Sequence, residues 1–516
     1  MKLNYKRTIL VGFAFFLISM FWSAYEAIVP LILTNKFGMS QTWSGVIMAA
    51  DNVLAVFMLP IFGALSDKCR SRHGKRTPFI FIGTICAAVL LVALSFADNA
   101  QLKNISDIST IDDSATLEVI YDAQKDATLL TPEGDEFILK EKFTKEQFAS
   151  IKSMVTNEDG EEEKNPDYVD YVTPARQACA WDTTAKSPVP LIVFIALLLG
   201  VLISMAIFRS PAVALMPDVT VKPLRSKGNA IINLMGTAGG ILALLLGIIF
   251  ATSAVKNSMM SYSAFLSVVA GLMLVALGIF VLTVREPRWA KEMQEDSIKY
   301  GIEEKDENES KHNRGLSRSE ARSLIFILLS IALWYFGYNA VTSKYSVYAT
   351  NILQKDFNFT MLLAQGAAIV AYIPAGLVAS KIGRKKTILA GIVMLASAFT
   401  VAAFLRASSP DLLMNAMFML AGVAWATINV NSFPMVVEMC SGADVGKYTG
   451  YYYTASMAAQ TATPMLSGFL MDQMGMTILF PYAAIFVALA FVTMFCVKHG
   501  DAKAEVKAGL EALDVD

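Results

Sequence analysis

The sequence predicts an all-α membrane protein with twelve transmembrane helices arranged in two six-helix halves. Three observations lead to this prediction. The 516 residues are 55% hydrophobic and only 17% charged, whereas soluble domains contain roughly 25% charged residues. Apolar segments long enough to cross a bilayer recur along the chain. Short motifs from the first half return in the second half at a constant spacing.

Twelve apolar segments have the length of a membrane span. A helix needs about 20 mostly apolar residues to cross the hydrocarbon core. The first segment follows a basic start and continues without the small-residue cleavage site of a signal peptide, so we expect it to be a membrane helix. The predicted spans are residues 8–34, 42–66, 78–98, 189–213, 229–252, 260–284, 322–341, 360–380, 386–406, 411–435, 447–470 and 477–497.

Basic residues in the short loops indicate the orientation of the chain. Cytoplasmic loops carry an excess of Lys and Arg, and the loops after spans 2, 4 and 8 are the basic ones. We therefore expect both chain ends, including a tail at 498–516, to face the cytoplasm. The basic residues are Lys68, Arg70, Arg72, Lys75 and Arg76 after span 2, Lys222, Arg225 and Lys227 after span 4, and Lys381, Arg384, Lys385 and Lys386 after span 8.

Two polar segments interrupt the spans. Residues 285–321 would form a cytoplasmic linker, and residues 99–188 an extracytoplasmic insert with 19 acidic and 9 basic side chains. Long translocated loops are largely exempt from the charge rule. Thr144 and Gln147 have the spacing of a capping box at a helix start. We expect the insert to be a small folded cap or a disordered loop. The first half would then comprise 1–98 with 189–284, and the second half 322–497.

An internal repeat relates the two halves. The segment AYEAI at 24–28 matches GYNAV at 337–341, which lies 313 residues later. Beyond the insert the spacing falls to 220, and the decrease is close to the length of the insert. Paired six-helix repeats are an architecture of membrane transporters. The further matched pairs are Gly63 with Gly376 and Lys68 with Lys381 at the longer spacing, and Asp218 with Glu438 and Lys227 with Lys447 at the shorter one.

The stretch GALSDKCRSRHGKRTPF, residues 63–79, contains a recognisable loop signature. Its Gly-x-Leu-Ser-Asp-Lys motif, followed by glycine and basic residues, resembles that of the Major Facilitator Superfamily, and the resemblance covers the chain apart from insert and linker. It implies the fold of that superfamily. The part RHGKRTPF and residues 208–236 are similar to the sucrose–proton symporters and the glycoside–pentoside–hexuronide cation symporters. Lys75 and Thr77 depart from the arginines of that subgroup.

The resemblance implies that this loop is a cytoplasmic gate. In the family, its acid and bases close a latch between helices. Asp67 would meet a helix N-terminus, where the dipole favours an anion, and Arg72 or Arg76 would pair with Asp218. The two glycines would permit close helix packing and a tight turn. The alternative is that the basic residues only set the topology. The predicted gate residues are Gly63, Asp67, Arg72, Gly74, Arg76 and Asp218.

Two carboxylates inside predicted spans are candidates for cation coupling. Glu26 and Asp51 each lie nine residues from the outer end of their span, at a depth of about 14 Å. Ionisable groups inside spans are costly and usually functional. On neighbouring helices the two carboxylates could share a proton or hold a sodium ion, with Asn52 as an extra oxygen ligand. The alternative is that one faces interfacial water or a packed polar neighbour. No histidine lies in any predicted span.

The repeat separates charged from neutral polar residues. Glu26 corresponds to Asn339, and Arg209 to Asn429. We therefore expect ion coupling in the first half and a neutral, hydroxyl-rich substrate at the interface, since amides both donate and accept hydrogen bonds. The alternatives are a snorkelling Arg209 and ordinary packing of the amides and tryptophans. The predicted substrate-binding residues are Tyr25, Arg209, Asn233, Asn339, Gln365 and Asn429, with Trp22, Trp334, Trp425 and Asn431 as further candidates.

These features predict a secondary active transporter that moves a sugar or glycoside together with a cation by alternating access. A proton is preferred over sodium. The alternatives are proton-coupled efflux of amphipathic compounds and a non-transporting nutrient sensor with the same fold. A monomer in the plasma membrane is expected from the resemblance.

Several other classes are disfavoured by the sequence. The net charge of −1 gives no indication of nucleic-acid binding. There is no P-loop for ATP and no HExxH motif for a metalloprotease. The five cysteines are scattered without CxxC spacing, so neither a zinc site nor a disulfide framework is expected. We predict no enzyme activity, no cofactor and no bound metal.

Overall fold

The computed structural model shows a bundle of long helices with a smaller folded unit at one end. It describes residues 3–156, 160, 162–221, 224–299, 317–437, 439 and 445–499. Residues 300–316 of the predicted linker, the predicted tail beyond His499, and Glu438 of the repeat lie outside the described residues. So do the side chains of Lys222, Lys227 and Lys447.

The first three long helices are continuous apolar segments with polar starts. Asn4 and Ser40 cap the first two helices by accepting hydrogen bonds from backbone N–H groups one turn later, and the third has proline in its first turn. The third helix continues to Asn104, beyond the predicted limit of span 3. These helices are α1 (Tyr5–Leu31, extended by a π-helical turn at Ile32–Lys36), α2 (Gln41–Lys68) and α3 (Thr77–Asn104).

The polar insert is folded, so the structure favours a cap over a disordered loop. Its apolar side chains form a cluster separate from the main core, with Leu117, Ile120, Phe148 and Val172 fully buried. Thr144 and Gln147 form the capping box that the sequence predicts. The elements are α4 (Ser106–Ser109), α5 (Ser114–Gln124), β1 (Thr128–Leu130), β2 (Glu136–Ile138), α6 (Leu139–Lys142), α7 (Lys145–Ala149), β3 (Met154–Thr156), β4 (Glu162–Lys164) and α8 (Thr173–Lys186); the strands form two antiparallel pairs, β1–β2 and β3–β4.

Apart from the short polar helix α12, the remaining helices return to the long apolar type. Ser317 and Glu320 form a second capping box at the start of α13, and Gly383, with φ of 96°, is the whole connection between α14 and α15. The helices are α9 (Val189–Val219), α10 (Arg225–Ile249), α11 (Ser263–Thr283), α12 (Glu286–Lys299), α13 (Arg318–Tyr348), α14 (Phe357–Ile382), α15 (Arg384–Ala402), α16 (Asp411–Val437), α17 (Val445–Met474) and α18 (Leu479–Phe495).

The long helices pack as two groups. In the first half α1 packs on α10 and α11, and α3 packs on α9 and α11; in the second half α14 and α15 pack on α16, and α13 on α17 and α18. The groups meet where α1 packs on α13, α2 on α17 and α10 on α14. Polar side chains on these six helices therefore share the central interface of the bundle.

Among the described residues, eleven helices are long and apolar enough to cross a membrane. The segment predicted as the eleventh span forms the 30-residue helix α17, which is not among the eleven. Its tyrosine, serine and threonine residues and Gln460 lower its hydropathy below that of its neighbours. These polar residues follow from its position, because α17 lines the central interface described next.

Candidate functional site

A cavity lies at the centre of the bundle, where the two helix groups meet. One part has a volume of about 540 Å³ and an adjoining part about 460 Å³. Both parts are lined by Trp22, Glu26 and Arg209, so they form one central cavity. This size is within the range of small-molecule sites, which are clefts of about 300–1,000 Å³.

The first half supplies the charged wall of the central cavity. Glu26 on α1, Asp51 and Asn52 on α2 and Arg209 on α9 all line it, and their side chains are half-buried. The Asn52 amide donates a hydrogen bond of 2.9 Å to Asp51 Oδ1. Arg209 therefore lies in the cavity instead of extending to the edge of the bundle. The structure brings both carboxylates to one cavity with a single guanidinium group.

Arg209 faces the carboxylates without forming a tight ion pair. Among the described residues, no salt bridge joins it to Glu26 or Asp51, although it interacts electrostatically with Asp51. Its guanidinium carbon lies 5.7 Å from the centre of the Trp22 ring, within cation–π range. Neither carboxylate therefore forms an ion pair with Arg209, although the guanidinium group lines the same cavity.

The second half supplies a neutral wall of amides and aromatic rings. Asn339 on α13 and Asn429 on α16 line the cavity, and Asn233 adds a further amide from α10 of the first half. Trp425 stacks on Tyr338 with ring centres 3.6 Å apart and an angle of 6° between the planes. This wall combines flat apolar surface with groups that donate and accept hydrogen bonds. Gln365 on α14 lines the adjoining part of the cavity.

Tyr25 is not among the residues that line the central cavity, so its role in substrate binding stays a prediction. Adjacent helix positions are rotated by about 100°, so the neighbour of Glu26 faces another direction. Tyr25 is 5% exposed and stacks on Phe21 at 5.8 Å. Trp334 is buried in the core, and Asn431 donates to the Thr427 carbonyl group, so neither contributes to the wall.

Sequence reasoning missed the tyrosines of the cavity. Tyr335 on α13, Tyr372 on α14 and the pair Tyr452 and Tyr453 on α17 all line it, together with Gln460. Tyrosine in an apolar helix is usually a core residue, so composition alone gave no reason to select these positions. The unusual density of tyrosine, serine and threonine in α17 was the available signal.

The predicted gate residues meet around Arg76 at the end of the bundle opposite the insert. Arg76 Nε donates to Asp218 Oδ2 at 2.8 Å, and its Nη2 lies 2.5 Å from Asp67 Oδ1. Arg76 also donates to the Ser66 hydroxyl group. Arg72, by contrast, is exposed and has no ion pair among the described residues. Of the two arginines named as alternatives, Arg76 is therefore the one that contacts Asp218.

Glu286 at the start of α12 caps the N-terminus of α3, a role that the sequence led us to assign to Asp67. Its carboxylate accepts hydrogen bonds from the backbone N–H groups of Lys75, Arg76 and Thr77 at 2.6, 2.9 and 2.8 Å. Gly74 has φ of 112°, and a Cβ there would lie 2.2 Å from the Glu286 side chain. Gly74 is therefore required by both conformation and space. Asp67 contacts Arg76 instead.

Gly63 permits close packing of α2 on α9. A Cβ at this position would lie 2.9 Å from Ser210 Oγ, a separation shorter than ordinary van der Waals contact. The hydroxyl group of Ser210 sits at the end of a short side chain, so a larger residue would force a small displacement. This geometry matches the predicted role of Gly63 in helix packing.

At the insert end, polar contacts join the two halves directly. Asp472 at the end of α17 accepts hydrogen bonds from the N–H groups of Gln41 and Thr42 at 2.8 and 2.7 Å. Lys344 Nζ donates to the Gln41 carbonyl oxygen at 2.5 Å. The second half thus binds the first turn of α2 through two backbone N–H donors and one carbonyl acceptor. Sequence reasoning identified neither Asp472 nor Lys344.

Helix backbones also approach closely there. A Cβ at Gly45 would lie 2.0 Å from the Pro464 carbonyl oxygen, and one at Gly468 would lie 2.2 Å from the Gln41 carbonyl oxygen. Such contact leaves no room for any side chain, so α2 and α17 meet backbone to backbone. The cavity is closed at the insert end by these contacts and by the polar ones around Gln41.

A bundle of two helix groups around a polar cavity defines a membrane transport protein built from paired repeats. The family model for the Major Facilitator Superfamily matches residues 177–372 and 351–513, which together span more than half of the chain. The chain belongs to the Major Facilitator Superfamily. A second model, described as MFS/sugar transport protein, matches residues 10–102.

Curated relatives match the chain over short segments. An MFS-type transporter, ppzB of Metarhizium rileyi, is 27% identical over 124 residues, which is 24% of this chain and 25% of the relative. The sucrose transport proteins SUC4 and SUC3 of Arabidopsis thaliana are 29% and 31% identical over 63 and 68 residues. These two matches cover 12% and 13% of this chain, and 12% and 11% of the relatives. The matched segments thus span a quarter or less of each relative.

Solved structures resemble the chain over nearly its whole length. The inward-open xylose transporter XylE from E. coli has a TM-score of 0.58 at 16% identity, with 99% of both chains covered. A D-xylose-proton symporter has a TM-score of 0.54 at 17% identity and covers 96% of this chain and 99% of its own. A bacterial homologue of the human lysosomal transporter Spinster, inward-facing, has a TM-score of 0.58 at 12% identity, with 96% and 97% covered. At these identities the likeness concerns the fold.

Proposed function

We propose that the protein is a secondary active transporter that couples the movement of a sugar or glycoside to a cation. The observation that carries the proposal is the division of the central cavity into two walls. Glu26 and Asp51 stand on one side, and Asn339, Asn429 and the ring of Trp425 on the other. The first wall suits a cation, and the second suits a neutral molecule rich in hydroxyl groups. Similarity to sucrose and xylose transporters supports the same conclusion.

A proton is the coupling ion that the cavity favours. Sodium would need several oxygen ligands around one point, and in the charged wall these would come from Glu26, Asp51 and Asn52. A carboxyl group in a poorly hydrated cavity can carry a proton as its neutral acid. Arg209 would then interact with Asp51 when the proton leaves. Sodium stays as the alternative outcome of the test below.

Transport would proceed by rocking of the two halves about the central cavity. In this proposal the insert is extracytoplasmic, both chain ends are cytoplasmic, twelve helices span the plasma membrane and the working unit is a monomer. The contacts of Gln41 with Asp472 and Lys344 would close the outer side. The cluster around Arg76 would hold α2, α3 and α9 together as the cytoplasmic side opens and closes.

The test is uptake of radiolabelled sucrose and maltose into proteoliposomes under an imposed proton or sodium gradient. Asp51→Asn serves as the coupling variant, and Asp411→Asn, which changes an exposed carboxylate outside the cavity, serves as the matched control. Uptake driven by one gradient, lost in Asp51→Asn and kept in Asp411→Asn, is the expected result. Absence of uptake of either sugar under both gradients would overturn the proposal.

The second candidate function is proton-coupled efflux of amphipathic compounds. The adjoining part of the cavity favours it, because Val341, Met361, Phe399 and Phe418 give that part an apolar lining. The same proteoliposomes loaded with a hydrophobic cation would then show loss of the compound under an inward proton gradient, with no effect of added sugar. Sugar uptake without such loss would exclude it.

A further inference from the structure

A second cavity, of about 480 Å³, lies at the insert end of the bundle. Its walls come from three parts of the chain, namely the insert, the turn that leads into α2, and the outer ends of the second-half helices. We call it the insert-end cavity. Its principal side chains are Thr131, Gln177 and Trp181 of the insert, Trp43 of α2, and Asn351 and Asp472 of the second half.

The walls are held together by contacts between these parts. Glu133 of the insert accepts a hydrogen bond of 2.8 Å from Arg406 of the second half, and the Pro132 carbonyl group accepts one of 2.8 Å from the Met476 N–H group. A Cβ at Gly475 would lie 2.3 Å from the Glu133 carbonyl oxygen. The insert belongs to the first half by sequence but docks on the second half. The cavity therefore exists only while the two halves are joined at this end.

The composition of the insert-end cavity indicates a neutral ligand. Among the described residues that line it there is no Lys, Arg or His, so an anion finds no countercharge. The lining acid is Asp472, whose carboxylate already accepts hydrogen bonds from the N–H groups of Gln41 and Thr42. A cation would compete with those bonds. Thr131, Gln177 and Asn351 add uncharged polar groups. The amide nitrogen of Gln177 already donates to Asn35 and that of Asn351 to Met476 Sδ, so their amide oxygens are the acceptors that face a ligand.

Two tryptophans give the cavity an aromatic surface. Trp43 is 58% exposed and Trp181 is 43% exposed, although large aromatic side chains in a folded protein are mostly buried. Both line the cavity, and they approach it from different parts of the chain. Flat aromatic faces next to amide and hydroxyl groups match a molecule with an apolar ring face and polar edges.

We propose that the insert-end cavity is a second binding site, for a small neutral polyhydroxylated molecule of the mono- or disaccharide class. Because its walls come from both halves, a bound molecule stabilises the state in which they are joined. Rocking of the halves, which rests on the proposed transport function, would open the cavity and release the occupant. Ligand at this site would therefore slow the transport cycle without entering the central cavity.

The test is hydrogen exchange, read by mass spectrometry, of the full-length protein in nanodiscs at increasing sucrose or maltose concentration. We expect protection of the peptides around 38–43 and 173–181. Tryptophan is among the side chains whose truncation most weakens binding. Trp43→Ala and Trp181→Ala should therefore raise the half-saturating sugar concentration for these peptides by about tenfold or more. Both side chains are exposed, so the variants should fold.

Two further variants separate the two sites. Phe404→Ala removes another exposed aromatic side chain, 79% exposed and outside the cavity lining, and should leave the protection unchanged. Trp425→Ala alters the central cavity and should also leave it unchanged. No protection of 38–43 and 173–181 by either sugar, or protection that Trp425→Ala abolishes, overturns the proposal. Hydrogen exchange of peptides from the central cavity is measured in the same experiment. Failure of the proposed transport function would appear as no sugar protection of the central-cavity peptides, with protection of 38–43 and 173–181 retained.

Discussion

The two halves of the bundle share a repeat but differ in chemistry. The first half places Glu26, Asp51 and Arg209 in the central cavity, and the second half places amides and stacked rings at the facing positions. The difference teaches that two halves related by a sequence repeat can present different chemistry to one cavity, as the proposed division between cation and substrate requires. A symmetric pair of charged walls would bind a cation on both sides and leave no surface suited to a neutral molecule.

The largest effect is expected from removing a charge from the charged wall of the central cavity. Asp51→Asn keeps the size of the side chain but cannot carry a proton or balance Arg209. We expect gradient-driven uptake to fall by about 100-fold or more, equivalent to about 2.8 kcal/mol. Exchange of labelled for unlabelled sugar at equal concentrations should persist, because it needs no net ion movement. Loss of both activities would show that Asp51 binds substrate, and the division between the walls would be wrong.

The neutral wall of the central cavity is tested by Trp425→Ala. Loss of a stacked aromatic surface should raise the KM for sugar by about tenfold, with the dependence on the ion gradient unchanged. Trp334→Phe is the matched control, because Trp334 is 1% exposed in the core of the same half. That variant should lower thermal stability and leave KM within about twofold. A change in ion dependence in Trp425→Ala would contradict the comparison.

A smaller effect is expected at the end of the bundle opposite the insert. Arg76→Ala leaves Asp218, which is 33% exposed, without its ion-pair partner, whereas Asp67, which is 60% exposed, is still hydrated. We therefore expect a loss of about 1 kcal/mol of stability. We expect several-fold slower uptake and a lower unfolding temperature. Arg72→Ala, in the same loop but exposed, should behave as the unchanged protein. Equal effects of the two variants would indicate that the loop acts only through its total charge.

The smallest effect concerns the insert, which interrupts the first half alone. Burial, followed by the charges of Glu133, Asp167 and Asp135, raises the pKa of Asp170 to about 6. A raised pKa means that the protonated form favours the folded insert, and this contribution is lost as the pH rises through about 6. Asp170→Asn should slow hydrogen exchange of residues 168–186 at pH 7.5 and have little effect near pH 4. A larger effect at pH 4 would contradict it.

The sequence predicted the scaffold better than the site. Charged residues inside apolar segments are rare, so Glu26, Asp51 and Arg209 could be selected, and all three line the cavity. Tyr372 was missed because tyrosine is common in cores. Glu286 was missed because its function depends on where α12 lies relative to α3. In the sequence, Glu286 follows the end of a span and lies among other charged residues, as is ordinary for a linker.

Orientation within a helix was harder to predict than depth in the membrane. Tyr25 was grouped with Glu26 by the repeat, yet neighbouring positions on a helix point in different directions. Depth in the membrane can be counted along the chain, whereas the direction of a side chain depends on which helices pack beside it. The sequence likewise left open whether Arg72 or Arg76 points toward Asp218. The fold of the loop places Arg76 in contact with it.

The backbone contact of α2 with α17 has a consequence for natural variation. At Gly45 and Gly468 even a methyl group would collide with a carbonyl carbon or oxygen of the opposite half. The codons at these two positions should therefore tolerate no amino-acid replacement, and alleles that encode alanine should be depleted from populations. Gly271 and Gly278 on α11, where an added Cβ meets nothing within 4 Å, should drift freely.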